Sequence, residues 1–187
     1  MMSHVILLAG KAESGKTLAA NIIKEEIESL GKTALIMSFA GYLKFICKSY
    51  YKWDGKKNEE GRSLLQRLGT DVVRKKNPDF WAKTVFDFIT TFDGEFDYFI
   101  LDDTRFKNEI SIFEEYNPLC YTSVRIGRLN YENSLSPSQR LHPSETDLDN
   151  INLDVTVYSN TGEENLRKAI VNKLFTTNQS KALLGLL

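Results

Sequence analysis

Cysteine and proline are scarce in this 187-residue chain, with two of the first and four of the second. Long apolar runs are missing altogether. Cys47 and Cys120 stand far apart and match no metal-ligand spacing, so they read as reduced, partly buried thiols of a cytoplasmic protein. The opening apolar run at 5–9 is too short for a signal-peptide core or a membrane span. The closing Ala-Leu-Leu-Gly-Leu-Leu is also too short, and three fates stay open for it: docking on the domain, meeting a partner, or fraying. An excess of either charge is lacking too. The 24 Lys and Arg against 25 Asp and Glu give a net charge of -1, which removes any global attraction to nucleic acid or anionic membrane. A local basic cleft is still allowed. Internal repeats and low-complexity segments do not occur.

What is there is an alternation of strand-like and helical patterns. Residues 5–9 form a short continuous apolar run, as expected of a strand covered on both faces. After Lys16 the period changes: Leu18, Ala19, Ile22, Ile23, Ile27 and Leu30 share one helical stripe, which Gly31 ends. Further strands are predicted at 33–39, 96–101, 121–126 and 154–158. Helices are predicted at 42–53, 61–76 (with Gly69 as a weak point), 108–116 and 163–175. Asn77-Pro78 reads as a cap followed by proline in the first turn of another helix, running to 92. Residues 130–150 are polar and irregular and read as a mobile lid. Strands joined by helices imply a parallel sheet with right-handed crossovers. The expectation is one α/β domain over residues 1–187, three layers α/β/α, with five core strands and ligands at their carboxyl ends. The acceptor-binding region is set at about 39–92 and the lid at about 128–150.

The strongest signal is Gly10-Lys11-Ala12-Glu13-Ser14-Gly15-Lys16-Thr17, which fits G-x-x-x-x-G-K-[ST] between a predicted strand and a predicted helix. The spacing has a chemical reason. Gly10 and Gly15 let the backbone wrap a polyphosphate without Cβ clashes. Successive N–H groups at a helix N-terminus, from Lys11, Ala12, Glu13 and Ser14 onward, make an anion nest. Lys16 reaches the β- and γ-phosphates of ATP, and the Thr17 hydroxyl is placed to ligate Mg²⁺. Glu13 reads as a solvated loop residue near the transferred group. The loop fixes a P-loop NTPase fold but does not separate kinases from switches or motors. The guanine-specific Asn-Lys-x-Asp signature is absent, since Asn172-Lys173 runs into Leu174-Phe175. No ABC signature occurs, and the chain is short for a motor. A small-molecule kinase remains.

Residues 98–103 form an apolar strand ending in Asp102-Asp103, a Walker-B-like arrangement that can order Mg²⁺ beside Thr17. Asp103 is the first choice for that role and Asp102 the alternate. Arg105 follows at the ligand edge of the sheet, where it can hold an acceptor phosphate bidentately or pair on the surface with Glu109.

Several segments together resemble the bacteriophage-type deoxynucleoside monophosphate kinases: GKAESGKT at 10–17, SFAGYLK at 38–44, LLQRLGTDVVRKKNPDFW at 64–81, ILDDTRFKNE at 100–109, HPSE at 142–145 and DVTVYSNTG at 154–162. They keep the family's order and span most of the chain. The resemblance implies a parallel core sheet with an acceptor site and a lid, a homodimer, and the reaction ATP plus a deoxynucleoside monophosphate giving ADP plus the diphosphate. It implies that Ser38, Phe39 and Ala40 open the acceptor region and that Leu68, Gly69, Thr70, Asp71 and Arg74 lie along the acceptor. Trp81 would wall the base pocket, or equally serve as core. Lys44 is carried with this set, although Lys44, Lys48 and Lys52 at i, i+4, i+8 are also explained by a solvated basic stripe. The turn of Asn160 and Gly162 would contact the adenine ring, largely through backbone. Arg125, Arg128 and Arg140 are candidate lid arginines, with Arg128 favoured because it follows a strand and Gly127. The family's loop often carries Arg or Lys near Glu13, so the acid here is a departure. His142, Ser144 and Glu145 match a family segment whose role the residues do not reveal.

Catalysis by such a site is positioning plus electrostatics, through Lys16, Mg²⁺ and one or two arginines. The partner is a small nucleotide. Two alternatives stay open: transfer to a hydroxymethylated base in DNA or to another metabolite, and nucleotide binding without transfer.

Overall fold

The run His4–Ala9 forms strand β1 with all six residues buried, which places it in the middle of a sheet rather than at an edge. In the computed structural model, which describes residues 2–56, 58–115 and 120–186, β1 is followed by helix α1 (Lys16–Ser29), β2 (Ala34–Met37) and α2 (Gly41–Tyr51). Helix α3 (Glu59–Gln66) runs on as a π-helical segment at Arg67–Arg74, and α4 spans Phe80–Thr91. Then come β3 (Tyr98–Thr104), α5 (Asn108–Glu115), β4 (Cys120–Arg128) and two single turns, α6 (Pro137–Arg140) and α7 (Pro143–Thr146). Strand β5 (Val155–Ser159), α8 (Glu163–Ile170) with a π-helical end at Val171–Phe175, and α9 (Asn178–Leu183) complete the order.

The sheet is parallel throughout, ordered β2-β3-β1-β4-β5. The period-2 alternation of β1 divides the core in two. Ile6 and Leu8 pack with Ile22, Ile23 and Ile27 of α1 and with Leu166 and Ile170 of α8. Val5, Leu7 and Ala9 face the other way, toward Ala82, Val85 and Ile89 of α4 and Ile110 and Phe113 of α5. Helices therefore cover both faces, as the alternation of patterns implied. A third apolar cluster of Leu43, Cys47, Leu68 and Trp81 lies beside the sheet under α2, α3 and the π-helical segment.

Several boundaries differ from the sequence expectations, each for a local reason. Asn58 caps α3 by accepting from the N–H of Gly61, so the helix begins at Glu59 rather than 61. Pro78 does not open α4, because its carbonyl is taken by Asn108 Nδ2 (2.9 Å) and Arg74 Nη1 (3.1 Å); Pro78-Asp79 is a turn and the helix starts at Phe80. Strand β4 extends through Arg128, so Arg128 lies within the strand instead of after it. Helix 42–53 ends at Tyr51, with Lys52 left-handed at φ +55, which removes Lys52 from the proposed basic stripe. The 130–150 segment is not irregular throughout. Ser136 and Gln139 form a capping box around Pro137, and the His142 ring caps α7 ahead of Pro143. The end of the helix expected at 108–116 lies outside the described residues.

The closing apolar segment docks. Leu184 is fully buried, Tyr98 Oη donates to Leu184 O (2.8 Å), and Thr122 Oγ1 donates to Leu183 O (2.5 Å). Cys47 is buried but Cys120 is exposed, which corrects the expectation of two partly buried thiols.

His4 sits at the start of β1 with its ring buried and Nε2 2.8 Å from Thr122 Oγ1. Burial pushes its pKa down to about 4 from 6.5. Between those values the unfolded chain binds more protons than the folded one, so acidification costs stability there, by about 3 kcal/mol in full. Urea denaturation of wild type and His4→Gln at pH 7.5 and pH 4 should show wild type losing about that much more than the variant on acidification; equal losses would refute the assignment.

Candidate active site

Strand β1 delivers the loop of residues 10–15 to the carboxyl end of the sheet, and α1 begins at Lys16. Gly10 has φ +146, and a Cβ there would meet Ile126 O at 2.3 Å and Ser14 Oγ at 2.8 Å, so only glycine fits. Gly15 caps α1 at φ +95. Among the described residues, the N–H groups of Gly15, Lys16 and Thr17 take no protein acceptor, which leaves an open anion nest at the helix N-terminus. Lys16 is buried, its Nζ donating to Gly10 O (2.8 Å) and Lys11 O (2.7 Å). Burial first, then the charge of Arg105, lowers its pKa to about 7, against the pull of Glu145, Asp103 and Asp102. A site that makes an ammonium this costly is one that favours an anionic ligand.

The acidic pair divides its work because successive strand residues face opposite ways. Asp102 Oδ2 accepts from Thr17 Oγ1 at 2.8 Å. Asp103 instead accepts from the N–H groups of Phe39 (2.7 Å) and Ala40 (3.2 Å), with Lys44 Nζ at 3.6 Å. The first choice of Asp103 as the carboxylate beside Thr17 is therefore corrected to Asp102. Asp103 holds the turn between β2 and α2.

A cleft of about 410 Å³ opens between the loop and the third apolar cluster. Its lining takes in Lys16, Thr17, Asp102 and Arg105 together with Asp103, Phe39, Ala40, Lys44, Gly69, Thr70, Arg74 and Trp81. Ser38 stands one step back, its Oγ accepting from Lys44 Nζ (3.1 Å). Trp81 is both wall and core: it is buried, and its indole N–H donates to Gly69 O (3.0 Å) within the π-helical segment. Arg74 lines the cleft with a committed guanidinium, paired with Glu109 and stacked 3.8 Å from the Phe106 ring. Glu109 is buried, and burial pushes its pKa up to about 7 against Arg74 and the N–H groups of Arg105 and Phe106. Glu109 thus pairs with Arg74 and the Arg105 backbone, not with the Arg105 side chain. That guanidinium reaches Glu145 Oε1 (2.5 Å) and Ser144 O (3.3 Å).

Glu13 is only partly exposed, and its carboxylate is bonded rather than left to solvent. It adopts φ +62, and its carboxylate accepts from Arg62 (2.6 Å), Tyr131 Oη (2.7 Å), Ser134 N (3.0 Å) and Ser134 Oγ (2.5 Å). The Ser134 hydroxyl leads in holding its pKa down at about 2. Of the three arginines, Arg128 lies at the loop, with Nη1 3.4 Å from Glu13 O and the guanidinium 4.1 Å over Tyr131. Arg125 binds Leu148 O and Ile151 O, and Arg140 pairs with Glu132 away from the cleft. Lys11 pairs with Asp149, and Ala12 N donates to Glu145 Oε2 (2.8 Å). Asn160 is exposed, and Gly162 begins α8, whose Leu166 packs under Gly15. Sequence reasoning missed Arg62, which lines the cleft, because nothing distinguishes an arginine in a polar helix from a solvated one. Among the described residues no cluster of three His, Cys, Asp or Glu could hold a metal by itself, and no helix is long and apolar enough to cross a membrane.

The family model for deoxynucleotide monophosphate kinase matches residues 52–170, well over half of the chain. Among solved structures, the APS kinase CysC of Mycobacterium tuberculosis in complex with AMPPNP and APS is similar at TM-score 0.49 and 8% identity, over 91% of this chain and 96% of that one. A sugar kinase from Janibacter sp. HTCC2649, unliganded, is similar at TM-score 0.48 and 13% identity, over 93% and 95% of the two chains. No curated protein matches the sequence.

Three of the four bonds to Glu13, those from Tyr131 and Ser134, tie residues 131–134 to the loop of residues 10–15. Glu13→Ala should speed amide exchange at Ser134 and its neighbours roughly tenfold or more while the sheet amides stay protected. Exchange followed by mass spectrometry would show it, and unchanged rates at 131–135 would mean that other contacts hold the segment.

Proposed function

The chain belongs to the deoxynucleotide monophosphate kinase family, and from that premise we propose that it moves the γ-phosphoryl group of ATP to a deoxynucleoside monophosphate, giving ADP and the diphosphate. The observation that carries the reading is the single cleft that joins an open phosphate nest to an apolar acceptor wall through Arg105.

The proposed chemistry asks little covalent work of the protein. An oxygen of the acceptor phosphate attacks the γ-phosphorus as the bond to the β–γ bridging oxygen breaks. The acceptor oxygen is already ionised, so no general base is required. The amides of residues 15–17 and Lys16 hold the donor phosphates, and a bound polyphosphate favours the charged form of Lys16, whose pKa burial lowers to about 7. Arg105 takes the acceptor phosphate. Asp103 fixes Phe39 and Ala40, which support the apolar wall where Trp81 backs the base. Arg128, over the loop, is the arginine proposed to meet charge on the transferring group.

The Thr17 hydroxyl and the Asp102 carboxylate, 2.8 Å apart, are hard oxygens that fit Mg²⁺ or its waters. When bound with the nucleotide, the ion would offset phosphate charge. A cleft of about 410 Å³ favours a mononucleotide over a base held in duplex DNA as the acceptor. The 128–150 segment, held to the loop by Glu13, is proposed to exclude water from the cleft.

Coupled ADP-release assays against common ribo- and deoxynucleoside monophosphates test the reading. Lys16→Ala should abolish acceptor-dependent release with the thermal transition intact, and near-normal turnover would end it. Asp102→Asn should raise the Mg²⁺ concentration needed for half-maximal rate by roughly 10–100-fold. Asp103→Asn should instead raise KM for the acceptor; the reverse pattern would reassign the two carboxylates.

A further inference from the structure

Residues 142–149 supply the one motif for which the proposed reaction has no use, and they meet the site through Glu145. Its side chain is 7% exposed. Oε2 accepts the Ala12 N–H at 2.8 Å and Oε1 meets Arg105 Nη1 at 2.5 Å. We infer that Glu145 is a positioning residue, a strut that sets the Arg105 guanidinium at a fixed distance from the phosphate loop. This rests on the proposed transfer to a nucleoside monophosphate.

Three observations carry the inference. The first is what Glu145 leaves open on Arg105. Among the described residues, only Nη1 of that side chain has protein partners, so Nε and Nη2 remain for a ligand in the cleft that Arg105 lines. A guanidinium steered by one nitrogen and open at the others is prepared for a bidentate anion.

The second is what Glu145 leaves open on the loop. A carboxylate standing in for a bound phosphate would occupy the amides of the helix N-terminus. Glu145 takes Ala12 N alone and leaves those of Gly15, Lys16 and Thr17 without acceptors. The third is how its carrier is held. Lys107 N donates to Asp147 (2.7 Å), Arg125 binds Leu148 O and Ile151 O (2.8 Å each), and Lys11 binds Glu145 O and Asp149. His142 Nδ1 accepts the Ser144 N–H (3.2 Å). A segment pinned at so many points is a fixed support, not an arm that swings away. It also brings a negative charge to Arg105 that offsets the repulsion between Arg105 and Lys16.

The test is a double-mutant cycle read on binding. Calorimetry gives Kd for the deoxynucleoside monophosphate that wild type turns over fastest, and separately for ATP, in wild type, Glu145→Gln, Arg105→Met and the double variant. Glu145→Gln should weaken the monophosphate roughly tenfold and change ATP by less than about twofold, and its effect should vanish in the Arg105→Met background. Glu145→Asp keeps the charge but shortens the reach, and it should behave as Glu145→Gln does. Tighter ATP binding by Glu145→Gln would make the carboxylate a competitor of phosphate and overturn the strut. So would an equal loss with and without Arg105, or a wild-type-like Glu145→Asp. A wild type that binds the monophosphate without phosphorylating it would overturn the reaction and leave the strut readable; one that binds none would overturn both.

Discussion

An ammonium group held out of water with only carbonyl oxygens as partners is the constraint on which the rest of the site depends. Lys16 is buried against Gly10 O and Lys11 O, and desolvation is the first cause that lowers its pKa to about 7. Everything near it can be read as an answer to that cost. The open amides of residues 15–17 invite an anion that would restore the charge. Asp102, Asp103 and Glu145 surround it without pairing directly with it, so they lessen the cost while leaving Nζ available. Gly10 permits the loop to pass close enough to Ile126 for the lysine to fold back inside it.

The strand geometry converts two adjacent carboxylates into two different tools. Because side chains alternate across a strand, Asp102 falls on the side of α1 and Thr17, while Asp103 falls on the side of the turn at Phe39 and Ala40 that leads from β2 into α2. One acid then faces the start of α1 and the next faces the turn between β2 and α2. Their spacing is fixed by the backbone of β3 and not by any flexible side chain. Arg105, two residues beyond Asp103, continues from the same strand, and Glu109 on α5 locks its backbone by accepting the N–H groups of Arg105 and Phe106.

Much of this was legible in the chain. The all-apolar run at 5–9 announced a central strand, the period change after Lys16 announced α1, and G-x-x-x-x-G-K-T between them announced the nest. The alternation of patterns gave a parallel sheet covered on both faces. The acidic pair was legible as a pair but not as two roles, because deciding which residue faces Thr17 requires knowing how β3 registers against β1, and Ala9 pairs with Thr104 only after a shift in that register. The capping box of Ser136 and Gln139 was in plain sight in a segment read as irregular; a polar composition hid two turns that their own caps specify. The extension of β4 to Arg128 was hidden because Gly127 looks like a strand end, whereas the Tyr158 ring of β5 occupies the space where its Cβ would be. Long-range contacts such as Glu13 with Arg62 and Ser134 have no local signature at all.

That last contact explains how an acid can stand in a loop built for phosphate. A carboxylate at position 13 aimed into the nest would repel the γ-phosphate at short range, where charges in a poorly solvated site interact strongly. The left-handed backbone at Glu13 turns the side chain away from the nest, and Arg62, Tyr131 and Ser134 absorb its charge. The acid is thereby neutralised toward the nest while it binds helix α3, through Arg62, and residues 131 and 134 to the same loop. Where a basic residue at this place would add a direct contact to phosphate, the acid here gives that contact up and gains a mechanical link. It couples the two covers of the cleft to the element that grips the donor, so neither cover can move far without pulling on the loop. Arg128, lying over Tyr131 and against Glu13 O, sits on that link, and its position relative to the loop is set by the same bonds.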